Sequence, residues 1–302
     1  EEGLRHWREA VRHDEGLALA WRNVGHAEAQ LHADDRRALA AYDRAVSLDP
    51  RDARVLLERD RVAERLRVPA AERRALLDRH RQTVDERDDL VSRWIDLVLG
   101  TGGPRDLEEA ERVLGTRRFH TREGAYGLHH AWVEVQQRLG DRALEGGSRE
   151  GALRHYQRAL EYPPNLEVAP RTPDLRAHVW WSLARARRGA ERTALLKRIL
   201  AERYPRPGLG TYYQALASKA LGQPGEADAL LARLEEAARR EIAEGKNPRP
   251  RAVGHYLLSL VRREKGDVAG AEAELLRARE LDAHPHRLAL TRAQVDYAGG
   301  HQ

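Results

Sequence analysis

The stretch from Ala18 to Pro50 constrains the fold more than any other part of the sequence. It places small, apolar and bulky aromatic residues at helical spacings and ends in a proline: Trp21, Val24, Gly25, Ala38, Tyr42, Ala45 and Pro50. Gly25 and Ala38 allow two antiparallel helices to approach closely, because neither has a bulky side chain. Aromatic rings fill the space beside them, and Pro50 ends the second helix because it has no backbone N–H group. The stretch therefore predicts an antiparallel helix hairpin.

The same spacing recurs along the chain. The clearest other copy combines Leu139-Gly140 with Ala152, Tyr156, Ala159 and Pro164. Together the copies resemble tetratricopeptide repeats, in which a Trp-x2-Leu-Gly-x2-Tyr helix precedes an Ala-x3-Phe helix and a proline. The resemblance implies an all-α fold, a right-handed superhelical solenoid of antiparallel helix hairpins with roughly 34 residues per repeat. In the first copy only Glu28 departs clearly from the pattern, because it stands where the repeat has Tyr.

The repeats predict one continuous array over residues 1–302, with about seven hairpins and half-repeats at the ends. Residues 3–16 match the second helix of a repeat, so we expect the chain to be a fragment of a longer protein whose missing first helix precedes residue 1. The pattern is interrupted at 117–127 and again at 162–173, where four prolines predict a surface loop. Further predicted features are a linker at 246–250 and a capping helix at 288–295.

Composition excludes several classes of protein. The 302 residues include no cysteine, which excludes disulfides, thiolate catalysis and zinc–thiolate sites. Apolar residues make up 41% and charged residues 33%, and no run approaches the roughly 18 apolar residues that a membrane span needs. We therefore expect a soluble protein with no membrane partner, and the cytoplasm is the default location.

The sequence contains no motif for nucleophilic catalysis, nucleotide binding or metal binding. None of the six serines lies in Gly-x-Ser-x-Gly, and no phosphate-binding glycine motif occurs. His130 and Glu134 lie one helical turn apart and His284 is close to His286, but neither pair has a third ligand at fixed spacing. We predict no enzymatic activity, no metal site and no cofactor.

The irregular segment Arg118–Gly124 holds the single Phe of the chain beside a histidine and a carboxylate. The simpler interpretation is a structural loop, in which Phe119 fills a gap between hairpins and Glu123 caps the next helix. The functional interpretation is a docking site for a domain that precedes residue 1, and its candidate residues are Arg118, Phe119, His120 and Glu123.

A second resemblance rests on this segment together with Glu86–Leu90 and Tyr162–Leu166. These runs are similar to the C-terminal repeat region of large bacterial proteins that carry an N-terminal β-rich domain of unknown function, likened to carbohydrate-active folds. The resemblance implies that the present chain is a helical accessory region and that any catalysis belongs to the N-terminal domain.

Residues 171–206 form a strongly basic stretch. Ten Lys and Arg residues outnumber three acids there, so the local excess of +7 is greater than the +5 of the whole chain. Tetratricopeptide repeats line their concave face with the first helix of each hairpin, and positions two, five, nine and twelve point into it. The candidate partner-binding residues at these positions are His178, Trp181, Arg185, Arg188, Tyr212, Lys219, Tyr256 and Arg263. The remaining positions in the same hairpins hold Leu209, Leu216, Val253 and Leu260.

These positions predict a groove with aromatic and basic side chains and few acids. Such a groove suits a protein or an acidic peptide, which arginine forks and aromatic contacts would bind. The competing interpretation is that arginine occupies solvated faces throughout this chain. Nucleic acid is disfavoured, because acids and bases are interleaved elsewhere and no base-stacking or helix-turn-helix motif occurs. The sequence therefore predicts a non-enzymatic scaffold, and the alternative is an accessory region of a carbohydrate-active enzyme.

Overall fold

Helices account for the regular structure of the part of the chain that is described. The computed structural model describes residues 1–120, 127–166 and 176–282, together with His286 and Ala289. These residues form sixteen α-helices and one 3₁₀ turn, and none of them lies in a β-strand. The predicted all-α architecture of antiparallel helix hairpins is confirmed.

The chain forms two compact units. The N-terminal unit comprises Glu1–Val135 and Pro163–Val168, and the C-terminal unit comprises Gln136–Tyr162 and Ala169–Gln302. The continuous array over 1–302 stays a prediction.

In the N-terminal unit, one helix that packs against the first hairpin precedes three hairpins. Its helices are α1 (Glu2–His13), α2 (Ala18–Leu31), α3 (Asp35–Leu48), α4 (Ala53–Arg65), α5 (Ala70–Arg79), α6 (Arg81–Val84), α7 (Asp88–Thr101), α8 (Pro104–Thr116) and the first part of α9 (Gly127–Glu145). The hairpins pair α2 with α3, α4 with α5, and α7 with α8. A 3₁₀ turn, Pro164–Leu166, packs against α8.

The C-terminal unit contains the later hairpins. Its helices are the second part of α9, α10 (Arg149–Arg158), α11 (Ala177–Ala186), α12 (Gly189–Ala201), α13 (Leu209–Ala220), α14 (Pro224–Glu244), α15 (Pro248–Glu264) and α16 (Val268–Leu281). Helices α11 and α12, α13 and α14, and α15 and α16 pack as hairpins, and α13 and α15 also contact each other. The first helices of neighbouring hairpins therefore lie side by side.

The close approach within a hairpin depends on a glycine that faces a tyrosine ring. A Cβ atom at Gly25 would lie 3.1 Å from two ring atoms of Tyr42 and 3.1 Å from the Ala38 carbonyl oxygen. A Cβ atom at Gly140 would lie 2.7 Å from Cδ1 of Tyr156. Both tyrosines are buried, so their rings have no free space into which to move. The spacing that predicts the hairpin therefore marks a real contact between its helices.

Short turns between paired helices combine a left-handed glycine with a capping side chain. Gly266 has φ of +83°, a conformation that glycine adopts readily. The Asp267 side chain then accepts the N–H of Gly270 at 2.9 Å and caps α16. Ser148 caps α10 in the same way, directly after Gly147 with φ of +83°. Each turn thus ends one helix and begins the next within a few residues.

Two departures from the repeat pattern are buried charged residues, each with an ion-pair partner on another helix. Glu28, which stands where the repeat has Tyr, is buried and accepts a hydrogen bond from Arg8 of α1. Arg59 stands in the second hairpin where the first has Gly25, and its Nε donates to Asp43 of α3 at 2.8 Å. These ion pairs replace packing of apolar side chains, which explains why this part of the repeat pattern is hard to recognise.

Only residues 246 and 247 of the linker predicted at 246–250 lie between helices. Helix α15 begins at Pro248, and the Asn247 side chain caps it by accepting the N–H of Arg249 at 3.2 Å. Proline is compatible with the first helical turn, because the N–H groups of that turn have no partner within the helix. The prolines therefore begin a helix here.

The predicted surface loop at 162–173 is buried in part. Leu166, in the 3₁₀ turn, is buried. The side-chain nitrogen of Asn165 donates to the carbonyl oxygens of Leu114 and Arg117, both at 2.8 Å. This turn therefore closes the end of α8, where those carbonyl groups have no partner within the helix.

Other predicted features fall outside the described residues. They are most of the irregular segment, at 121–126, most of the proline-containing segment, at 167–173, and the capping helix at 288–295 apart from Ala289. Ala289 itself is buried in the apolar cluster of the C-terminal unit.

Candidate partner-binding face

The candidate face is formed by α11, α13 and α15, which are the first helices of three consecutive hairpins in the C-terminal unit. Position two of these hairpins holds His178, Leu209 and Val253, which are all buried. Position twelve holds Arg188, Lys219 and Arg263, which are all exposed. The accessible part of this face therefore lies toward the C-terminal ends of the three helices.

Two predicted binding residues lie beneath the face. His178 is 7% exposed, and its ring centroid lies 6.2 Å from that of Tyr213. Tyr212 is 9% exposed and meets the Tyr213 ring edge-on, with 5.3 Å between the centroids. Substitution of His178 or Tyr212 would therefore disturb the core as well as the surface.

Large apolar side chains cover the core of this unit and remain partly exposed. They are Trp181, Tyr213, Tyr256 and Leu260, and they pack on a buried cluster that includes Leu216 and Leu257. The Tyr256 hydroxyl lies 2.7 Å from Nδ1 of His286, which fixes the position of the Tyr256 ring. Rigid aromatic rings of this kind offer contact area at a small cost in conformational entropy.

Each of the three helices has a cation in its last turn, namely Arg185, Lys219 and Arg263. A cation there interacts favourably with the partial negative charge at the helix C-terminus. That interaction is a structural reason for these residues that needs no partner. The cations are nevertheless accessible, because 61% of the Lys219 side chain and 41% of the Arg185 side chain are exposed. Arg188 is exposed at the N-terminus of α12.

Two acids that are absent from the sequence prediction lie against these cations. Asp141 of α9 pairs with Arg185 at 2.8 Å, and Glu264 of α15 pairs with Lys219 at 3.2 Å. Each pair joins the first helices of neighbouring hairpins, and we call such a pair a bridge. The groove with few acids that the sequence predicts is therefore charge-balanced at Arg185 and Lys219.

A tyrosine hydroxyl holds the acid of each bridge. Tyr156 donates to Asp141 Oδ1 at 2.7 Å, and Tyr212 donates to Glu264 Oε1 at 3.3 Å. Burial raises the pKa of both hydroxyls well above the usual range, and the neighbouring carboxylates raise it further. Both hydroxyls therefore stay protonated and continue to donate at neutral pH.

The N-terminal unit has bridges of the same kind in which the cation is less exposed. Arg22 of α2 donates to the two carboxylate oxygens of Glu58 on α4 at 2.9 and 2.5 Å. Asp60 of α4 is 1% exposed and forms a bridge with Arg93 of α7. It also accepts two hydrogen bonds of 2.8 Å from Arg73 of α5, within its own hairpin. Burial pushes the pKa of Asp60 upward, but the hydrogen bonds and charges of the two arginines outweigh this effect and hold it below its usual value.

The predicted docking residues are divided between core and surface. Phe119 is fully buried, and its N–H donates to the carbonyl oxygen of Asn165 at 2.9 Å. Arg118 and His120 are exposed, and Glu123 lies outside the described residues. Phe119 therefore packs within the N-terminal unit, as the simpler interpretation predicts, and the docking role stays a prediction.

The residues that the structure describes contain no group of three or more His, Asp or Glu side chains placed to hold a metal ion. No helix in this part of the chain is long and apolar enough to cross a membrane. His255 Nδ1 and Glu274 Oε2 lie 2.6 Å apart in the interior, and Arg262 and Arg277 also pair with Glu274 at 3.3 Å. This charged group ties α15 to α16.

No protein-family model matches the chain. Solved structures similar to it include the MamA protein, with 11% identity, 89% of this chain and 94% of that chain covered, and a TM-score of 0.21. YrrB, described as a TPR protein with an unusual peptide-binding site, has 15% identity, covers 95% and 96% of the two chains, and gives a TM-score of 0.19. Naa15/Naa10 bound to HypK-THB has 14% identity, covers 93% of this chain and 56% of that chain, and gives a TM-score of 0.29. The helix pairs described above therefore carry the assignment of the architecture.

Proposed function

We propose that the chain is a non-enzymatic helical-repeat scaffold that binds a protein segment or an acidic peptide through its C-terminal unit. The binding surface is the partner face, which consists of Trp181, Tyr256, Leu260, Arg185, Lys219 and Arg263. The observation that carries the proposal is that partly exposed apolar side chains lie on the same three helices as exposed cations.

The two kinds of side chain have complementary roles. Aromatic rings supply contact area that a partner can cover, and arginine and lysine orient carboxylates by charge-assisted hydrogen bonds. Stabilisation of helix ends accounts for the cations alone, and it gives no reason for the partial exposure of Trp181 and Tyr256. A surface that binds a partner accounts for both features.

The helical repeat makes such a surface available. Each hairpin packs mainly on its neighbours, so the outer positions of the first helices are free to vary while the core is retained. The alternative function, an accessory region of a carbohydrate-active enzyme, stays a prediction from the resemblance.

Fluorescence anisotropy with a short labelled peptide of alternating glutamate and leucine tests the proposal. We expect the double variant Arg185→Gln/Lys219→Gln to bind this peptide about tenfold more weakly than the wild type, because each substitution removes a charge-assisted hydrogen bond. The matched control is Arg239→Gln/Arg240→Gln on α14, which removes the same charge from two exposed residues of a second helix. Trp181→Ala should also weaken binding of a peptide in which glutamine replaces glutamate.

Circular dichroism should show unchanged helix content for all of these variants. An equal loss of affinity in the α14 control would show that net charge alone explains the weaker binding. Wild-type affinity in the Arg185→Gln/Lys219→Gln variant would place the binding surface elsewhere.

A further inference from the structure

We infer that Asp141 and Glu264 are internal competitors for the partner, so that a bound segment must supply carboxylates that replace them on Arg185 and Lys219. The inference rests on the proposed function, because it concerns the same face. It names two residues that set the selectivity of the face for acidic ligands.

The bridge between α13 and α15 has its cation outside and its acid inside. Lys219 is 61% exposed, whereas the Glu264 side chain is 18% exposed, and the two groups are 3.2 Å apart. A ligand that approaches from solvent therefore meets the ammonium group first. A carboxylate on the ligand can pair with Lys219, whereas a cationic ligand has little access to Glu264.

The bridge between α9 and α11 is more even. The exposed fractions are 41% for the Arg185 side chain and 38% for the Asp141 side chain, with 2.8 Å between Nη1 of Arg185 and Oδ1 of Asp141. The guanidinium group has five N–H donors, so it can donate hydrogen bonds to a ligand carboxylate while it moves away from Asp141. Arg185 therefore presents the second position for a carboxylate.

The hydroxyls of Tyr156 and Tyr212 lower the free-energy cost of this exchange. When a ligand carboxylate pairs with Lys219, Glu264 keeps the hydrogen bond from the Tyr212 hydroxyl. When one pairs with Arg185, Asp141 keeps the hydrogen bond from the Tyr156 hydroxyl. Neither acid is then left without a hydrogen-bond donor, which would be costly in a half-buried position. The face can thus exist with the bridges closed by its own acids or open and paired with ligand carboxylates.

The selectivity follows from this competition. A neutral segment gains nothing from Lys219 or Arg185, because both cations keep their own acids. An acidic segment exchanges one ion pair for another at each bridge and adds the contacts with the aromatic rings. Removal of an internal acid should therefore strengthen binding of acidic ligands and leave binding of neutral ligands unchanged.

The test measures the anisotropy of the labelled glutamate–leucine peptide and of its glutamine–leucine counterpart with the full chain. We expect Glu264→Gln to bind the acidic peptide two- to fivefold more tightly than the wild type, a range set by the modest strength of exposed ion pairs. Asp141→Asn should give a gain of the same kind, and neither variant should change the affinity for the neutral peptide. The matched control is Glu236→Gln on α14, which removes the same charge from an acid that is 73% exposed and paired with Arg240.

The outcomes separate this inference from the proposed function. If Glu264→Gln binds the acidic peptide no more tightly than Glu236→Gln does, while Lys219→Gln still loses affinity, the competitor role is wrong and the binding face stands. If neither peptide binds the wild type or Glu264→Gln, the proposed function itself fails. A loss of helix content in Glu264→Gln would assign the bridge a structural role instead, and Asp141→Asn then provides the second test of competition.

Discussion

Within each unit, ion pairs join the first helices of neighbouring hairpins. The cations of these pairs are less exposed in the N-terminal unit than in the C-terminal unit. In the N-terminal unit, Asp60 is almost completely buried between Arg73 and Arg93. In the C-terminal unit, Arg185 and Lys219 reach solvent while they pair with acids of neighbouring helices. Removal of one partner from a buried ion pair strongly destabilises the folded protein, whereas an exposed ion pair contributes little to stability.

This difference in depth suggests a division of roles. Buried bridges hold the N-terminal helices in one arrangement and leave their charges satisfied by each other. Exposed bridges can be exchanged for contacts with a partner at small cost. The predictions below test whether the units share their hairpin packing and whether they differ in the depth of their bridges.

The largest effect is expected where the two units are alike, at the glycine that faces a tyrosine ring. Gly140→Leu should lower the free energy of unfolding by about 3 kcal/mol or more, because the new side chain must enter the space of the buried Tyr156 ring. Gly25→Leu should have a similar effect against Tyr42. Urea unfolding followed by circular dichroism measures both changes.

The control for this pair is Gly225→Ala in α14, where a Cβ atom would meet nothing within 4 Å. Alanine should leave stability unchanged or raise it by up to about 1 kcal/mol, because it restricts the unfolded chain. A full loss of stability at one glycine and none at the other would show that the two hairpins are not equivalent.

The next largest effect should distinguish the units. Asp60→Asn should cost about 3 kcal/mol, because it removes the buried carboxylate that pairs with Arg73 and Arg93 and leaves both arginines with Glu64 alone. Asp141→Asn should cost less than about 1 kcal/mol, because Asp141 and Arg185 are partly exposed. Urea midpoints compare the two isosteric variants, and equal costs would contradict the proposed difference in depth.

The acid sensitivity of the N-terminal unit gives a third test. Arginine contacts hold the pKa of Asp60 below its ordinary value of 3.8, so the unfolded chain binds a proton before the folded chain does. The stability that Asp60 contributes should be complete above about pH 4 and should disappear as the pH falls through the lowered folded pKa. The Asp60→Asn variant should lack this pH-dependent contribution to stability. Thermal melts of wild type and variant should therefore converge in acid, and a constant difference between them would contradict the prediction.

The smallest effects are pairwise couplings. A double-mutant cycle with Lys219→Gln and Glu264→Gln should give a coupling below about 1 kcal/mol. The same cycle with Arg22→Gln and Glu58→Gln should give about 1.5 kcal/mol or more, because that pair is bidentate and less exposed. A larger coupling energy for Lys219–Glu264 than for Arg22–Glu58 would contradict the proposed difference between the units.

The hairpins are predictable from sequence because their packing repeats locally. Gly25 and Tyr42 lie on adjacent helices of one short stretch, and the same spacing identifies Gly140 and Tyr156. The departure at Glu28 is explained by a partner, Arg8, on another helix, which no pattern within the hairpin reveals. Local packing is therefore visible in sequence, whereas compensation between helices is not.

The candidate face is predictable only in part, for the same reason. The positional rule finds Arg185 and Lys219, but it omits Asp141 and Glu264, which lie 44 and 45 residues away in sequence. A usable signal is an acid near the end of the first helix of a neighbouring hairpin. The linker predicted at 246–250 extends too far, because α15 already begins at Pro248 and proline both interrupts helices and begins them.

Hydrogen exchange of the full chain with and without the glutamate–leucine peptide tests the central claim most directly. The amides in the last turns of α11, α13 and α15 should exchange more slowly when the peptide is bound, because the partner face lies there. Those of α2, α4 and α7 should be unchanged, because the arginines of their bridges, Arg22 and Arg93, are only 10% and 21% exposed. Protection confined to α2, α4 and α7, or no protection on any of the six helices, would contradict the account.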